Sequence, residues 1–133
     1  MTALLDRALS NGIEVRVWYV GLSSPELHVA RVRFRVARGG HDIPEERILH
    51  RYHRSRLNLI HLLPKLTELR VFDNTKEADP IAGIAPEPML ILHIVRGGVV
   101  SSCDLRHTPE WARPILMAAM RSSYPSRRKE TRR

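Results

Sequence analysis

The stretch GIEVRVWYVGLSSPEL, residues 12–27, constrains the fold more than any other. The run IEVRVWYVG is nearly continuous in β-branched and aromatic residues and reads as a buried strand. It gives way at once to a helix start. Ser24 is a natural cap, Pro25 suits the first helical position, and Glu26 favours the positive end of the helix dipole. Any fold must therefore place a buried strand directly before a helix running from Pro25 to about Arg38.

The other elements follow from similar signals. Thr2 can cap a short helix that ends at Asn11-Gly12, where glycine tolerates the left-handed conformation. A helix is expected from Asp42, with Glu45 three residues on as in a capping box, to about Leu63, where Pro64 stops it. ELRVFDN reads as a second strand, and PMLILHIVRGGVVSSCDL as two strands around Arg96-Gly97-Gly98. TPEWARPILMAAM reads as a final helix capped by Thr108 and interrupted at Pro114. RVRFRVAR alternates arginine with apolar residues and could also be a strand, paired with EVRVWYV. Helix is preferred, because the Ser-Pro-Glu start lies upstream and Val29, Val32 and Val36 fall on one helical stripe.

The helix pair is rich in arginine. Arg31, Arg35 and Arg38 share one face of the first helix. Arg47, Arg51 and Arg54 form a similar row on the second, with Ile48, Tyr52, Leu59, Leu62 and Leu63 on its apolar side. Gly39-Gly40 lies between them and permits the two helices to reorient. Guanidinium groups bind phosphate oxygens bidentately, so two hinged rows can close over an anion. The bland alternative is a pair of solvated faces, with these arginines paired to Asp42, Glu45 and Glu46.

Composition narrows the class. A chain of 133 residues supports one domain. Its only cysteine, Cys103, excludes an internal disulfide and fits a reducing, cytoplasmic setting; it reads as a small core residue. The N-terminal MTALLDRALSNG carries Asp6 and Arg7 within its apolar run, unlike a signal peptide or a membrane span. The formal charge of +8 suggests a polyanionic partner or a phosphorylated ligand. Most of it lies in residues 121–133, where six cations face Glu130 alone; this reads as a disordered basic tail after a folded 1–120. His50 and His53 lack further ligands at metal-site spacing, so no metal is assigned. Trp18 and Trp111 read as packing anchors.

The middle of the chain closely resembles the C-terminal half of zeta-toxin-like P-loop kinases. The resemblance rests on SPEL, on the RV..RV..GGHDIPEE run, on Arg51, on RS.LNL with Asn58, and on Asp73-Asn74 after a strand. It covers about residues 10–76. It implies an adenylate-kinase-like α/β fold with parallel strands and a helical lid segment over the nucleotide phosphates. It implies ATP with Mg²⁺ as cofactor, with Arg38 and Arg51 stabilising the transferring phosphoryl group. Arg35, Gly39, Gly40, His41, Arg47, Asp73 and Asn74 would contribute to nucleotide binding. Zeta toxins phosphorylate UDP-N-acetylsugars and belong to toxin–antitoxin pairs, so a phosphorylated small molecule and an antitoxin are the implied partners.

One departure matters. P-loop kinases need G-x-x-x-x-G-K-[ST] to cradle the phosphates. The three lysines here, Lys65, Lys76 and Lys129, follow proline, threonine and arginine, never glycine. About 12 residues precede the first strand, too few for the missing strand, loop and helix. The expectation is a kinase remnant or fragment, inactive alone, that associates with itself or with a missing N-terminal half. The alternative is a basic non-enzymatic module that binds nucleic acid or an acidic protein.

Overall fold

The computed structural model describes residues 2–76 and 87–123. Helix α1 (Thr2–Ser10) ends at Gly12, which takes φ +75° as the turn requires. Strand β1 (Arg16–Gly21) follows, then helix α2 (Pro25–Val36) and helix α3 (Glu45–Leu62). The Ser24 side chain accepts a hydrogen bond from the Leu27 amide, as expected of the cap. RVRFRVAR is thus helical, with Val29 and Val32 buried on the expected stripe. A 3-10 turn at Leu63–Lys65 leads to strand β2 (Glu68–Asp73). Strands β3 (Met89–Val95) and β4 (Gly98–Ser102) form a hairpin, and helix α4 (Arg113–Ser123) closes the described chain.

Four local expectations need correction. Asp42 does not cap α3: the helix begins at Glu45, Pro44 holds the cap position, and no side chain bonds there. The Pro44 carbonyl accepts the first turn's amide bonds, from Arg47 and Ile48, so the cap position is Pro44 itself and Asp42 lies two residues too early to cap. Thr108 does not cap a helix either; its hydroxyl donates to the Asp104 carbonyl at 2.6 Å. Pro114 interrupts nothing, because it sits in the first turn of α4, where its missing N–H costs no hydrogen bond. Arg121 and the two serines after it extend α4 rather than the basic tail; residues 124–133 of that tail lie outside the described residues.

The strands form one mixed sheet in the order β1-β2-β3-β4. Among the described strands only β1 and β2 are parallel, with Trp18 opposite Arg70 and Val20 opposite Phe72. The expected parallel sheet fails at the hairpin for a simple reason. Arg96 and Gly97 both take positive φ, 49° and 79°, the geometry of a two-residue turn. Such a turn joins antiparallel strands only. β2 pairs antiparallel with β3 as well.

The core lies on one face of this sheet. Leu69, Val71, Ile91, Leu92, Ile115 and Leu116 are fully buried there. Leu5 and Leu9 of α1, Leu59 and Leu62 of α3, and Trp111 pack into the same cluster. A smaller cluster, Val29, Val32 and Ile48, joins α2 to α3. Among the described residues, nothing packs over the opposite face around Trp18. Trp18 is 66% exposed, its ring 5.6 Å from Phe72, and Val20 and Leu90 are also exposed. Trp18 is therefore not a packing anchor. β1 is an edge strand that alternates, with Tyr19 and Val17 turned inward and Trp18 and Val20 outward. Cys103 is half-buried at the end of β4, its thiol 3.6 Å from the Leu90 carbonyl. No described helix is long and apolar enough to cross a membrane.

Candidate anion-binding site

The carboxyl ends of β1 and β2 meet under α2, α3 and the turn that precedes α4. Gly21 ends β1 because nothing larger fits: a Cβ there would lie 2.3 Å from the Trp111 ring. Trp111 in turn donates from Nε1 to Asp73 Oδ2 at 2.8 Å. The other Asp73 oxygen accepts from the Thr75 amide at 2.7 Å. Asp73 thus holds the floor of the site together. Its neighbour Asn74 donates its backbone N–H to the Gly21 carbonyl, and its side-chain Oδ1 is buried without a donor.

Above this floor a cleft of about 280 Å³ opens between the helices. Arg35 of α2 and Arg51 of α3 both line it, with His28, Tyr52, Arg56 and Trp111 among the other walls. Neither Arg35 nor Arg51 pairs with a carboxylate among the described residues. The acidic side chains expected to neutralise the rows do not do so: among the described residues only Glu45 of the three forms an ion pair, and it takes Arg33, which belongs to neither row. Arg31 instead donates to the Thr75 carbonyl at 3.1 Å, tying α2 to the end of β2.

The remaining predicted residues are placed differently. Arg38 stacks over Phe34, 4.2 Å from the ring centre, and does not line the cleft. Arg47 and His41 are exposed outside it. Gly39 takes φ +92°, and the Gly40 amide donates to the Arg35 carbonyl at 2.8 Å. Together they close α2 in a Schellman-type turn. A Cβ on Gly40 would come within 2.9 Å of that carbonyl, so the turn is packed onto the residue that carries the cleft's first arginine.

Residues outside the two arginine rows complete the site. Tyr52 contacts His28 and His53 edge-on, and Arg56 stacks on it at 4.7 Å. Tyr19 and Ser55 share a 2.8 Å hydrogen bond at the base. Burial raises the Tyr19 and Tyr52 phenols above their ordinary range, against the pull of Arg56. Burial, then Arg31 and Arg35, lowers the His28 imidazole, so His28 is neutral at pH 7. The cleft is thus a cationic pocket with a neutral histidine and aromatic walls. One signal for the missed residue was legible. Arg56 falls four positions after Tyr52 and three before Leu59, a lone charge on the apolar stripe of α3.

No family model, no curated protein and no solved structure matches this chain.

Proposed function

We propose that this chain carries the lid-bearing, C-terminal part of a zeta-toxin-like kinase domain, and that the α2–α3 cleft receives the phosphates of a nucleotide. A single observation carries the reading: Arg35 and Arg51, from two helices joined by a glycine turn, line one cleft without a carboxylate partner. Charge-assisted bonds from two guanidiniums suit phosphate oxygens better than any neutral ligand. The cleft lies beyond the carboxyl ends of parallel β1 and β2, where open α/β sheets bind ligands. Phosphoryl transfer also needs a lysine-bearing loop, and these 133 residues contain no such motif. The part described therefore supplies binding and charge stabilisation rather than a complete kinase centre. Arg51 keeps the role implied by the family resemblance. Arg35 takes the place first assigned to Arg38.

Titration with ATP and with tripolyphosphate at low salt tests this. Arg35→Ala/Arg51→Ala should weaken both by at least about tenfold, or about 1.4 kcal/mol. Arg38→Ala/Arg47→Ala and a chain ending at Met120 should bind as the parent does. The reading fails if removal of the tail abolishes binding while Arg35→Ala/Arg51→Ala leaves it intact.

A further inference from the structure

A second cavity of about 510 Å³ adjoins the first, and the two share Tyr52, Arg56 and Trp111 as a common wall. Its remaining lining includes Ser23, Glu110 and Arg113. Arg56 is the unusual member. Its guanidinium is held from three sides: Nη1 donates to the Trp111 carbonyl at 3.3 Å, Nη2 lies 3.1 Å from His53 Nδ1, and the plane rests on Tyr52. None of these partners is a carboxylate. Its Nε is buried with no acceptor at all. A half-buried cation without a counter-ion, and with one N–H unsatisfied, is costly to the fold, so stability alone does not explain it.

Arg113 stands at the same cavity. Its Nε donates to the Thr108 carbonyl at 3.4 Å, and it has no ion pair among the described residues. The Glu110 carboxylate pairs with no cation among them either. Two guanidiniums without counter-ions, beside a carboxylate and a serine hydroxyl, match a ligand with a dianionic end and hydroxyls next to it.

We propose that this cavity is a second anion site, in which Arg56 and Arg113 take the phosphate of a hydroxyl-bearing phosphomonoester. Glu110 and Ser23 receive the hydroxyls of the same ligand. Arg56 is fixed by its three contacts, while Arg113, on the surface, swings onto the phosphate as it enters. The site is distinct from the Arg35–Arg51 cleft but lies directly against it across the Tyr52–Arg56 wall.

Trp111 walls both cavities and reports on them. In a Trp18→Phe background, glycerol 3-phosphate should produce a saturable change in its emission. Inorganic phosphate should do so more weakly, because it offers Glu110 and Ser23 no hydroxyls. Arg113→Gln, a surface change that leaves folding intact, should weaken glycerol 3-phosphate at least tenfold. Arg56→Lys, which retains the charge but loses the guanidinium plane, should also weaken it, with the melting temperature confirming a folded chain. Arg35→Ala/Arg51→Ala should leave it within twofold, whether or not that variant loses tripolyphosphate. The proposal is overturned if glycerol 3-phosphate gives no saturable response at millimolar concentration, or if Arg113→Gln binds as the parent does. It is equally overturned if Arg35→Ala/Arg51→Ala abolishes the response, since the two cavities would then form one site. Equal affinity for inorganic phosphate and the ester would remove the hydroxyl contacts and with them the ligand class.

Discussion

Trp111 Nε1 and Asp73 Oδ2 share a buried 2.8 Å hydrogen bond that pins the approach to α4 onto the end of β2. The bond also holds the indole against Gly21, at the end of β1. One side chain therefore sets the relative height of two strand ends and the floor of the cleft between them.

Trp111→Phe should retain most of the packing but leave Asp73 with one donor fewer. Loss of a buried hydrogen bond to a charged acceptor costs about 1.5–3 kcal/mol. The urea midpoint should fall accordingly, with an unchanged slope. Gly21→Ala should destabilise by about 1–3 kcal/mol through overpacking alone, because its Cβ would meet the indole at 2.3 Å. Combined, the two changes should cost less than their sum, since the smaller phenyl ring makes room for the methyl group. Strict additivity would show that Trp111 and Gly21 do not act on one another.

The lowered pKa of His28 predicts a pH dependence of stability. Folding keeps His28 neutral, through burial first and then the nearby Arg31 and Arg35. The unfolded chain protonates it near its ordinary value of about 6.5. Below that pH the unfolded state binds the extra proton, so stability falls as pH drops from about 6.5 through the folded value. No such loss arises from this group above pH 7. His28→Gln should flatten that part of the profile, measured as melting temperature between pH 7.5 and 5. A variant as acid-sensitive as the parent would place the effect elsewhere.

Local structure was legible where one residue type has one physical use. Ser24-Pro25-Glu26 announces the start of α2, Val29 and Val32 mark the buried stripe of α2, and Gly12 ends the turn after α1. The sheet was legible strand by strand but not as an assembly. Strand identity depends on local alternation, whereas direction depends on connections, and only the Arg96-Gly97 turn settles β4 against β3. The site was half legible. Both arginine rows were visible, yet helical spacing cannot say which turn of a row faces the neighbouring helix. Arg35 and Arg51 face the cleft; Arg38 folds back on Phe34, and Arg47 points away from the lining. Arg56 was overlooked because it breaks the row pattern, although a charge on an apolar stripe is itself a signal.

Enzymatic activity provides a third prediction. The 133-residue chain, purified alone, should transfer no phosphate from ATP to a UDP-N-acetylsugar. Nothing in it replaces the P-loop lysine or the magnesium-binding Ser/Thr, and arginines alone cannot hold Mg-ATP in line. Labelled ATP with candidate acceptors is the test. Turnover at about 1–100 per second, the ordinary kinase range, would sink the proposed division of labour.

The last prediction concerns the edge of the sheet. β1 pairs only with β2 among the described residues, so its outer backbone edge has no strand beside it. The adjoining face exposes Trp18, Val20 and Leu90 in a row continued by Phe72. Parallel strands are normally covered on both faces, and an open, apolar edge favours pairing with another chain. The chain should therefore associate as its concentration rises, and sedimentation velocity should show a population heavier than the 15.3 kDa monomer. Trp18→Lys/Leu90→Lys places charges on that surface without touching the lining of the α2–α3 cleft or the buried side of β1, where Val17 and Tyr19 pack. It should restore the monomer and leave ATP binding at the α2–α3 cleft unchanged. A parent chain that sediments as a monomer at every concentration would show that this edge needs no partner. A heavier species that survives the double lysine change would move the contact to another surface.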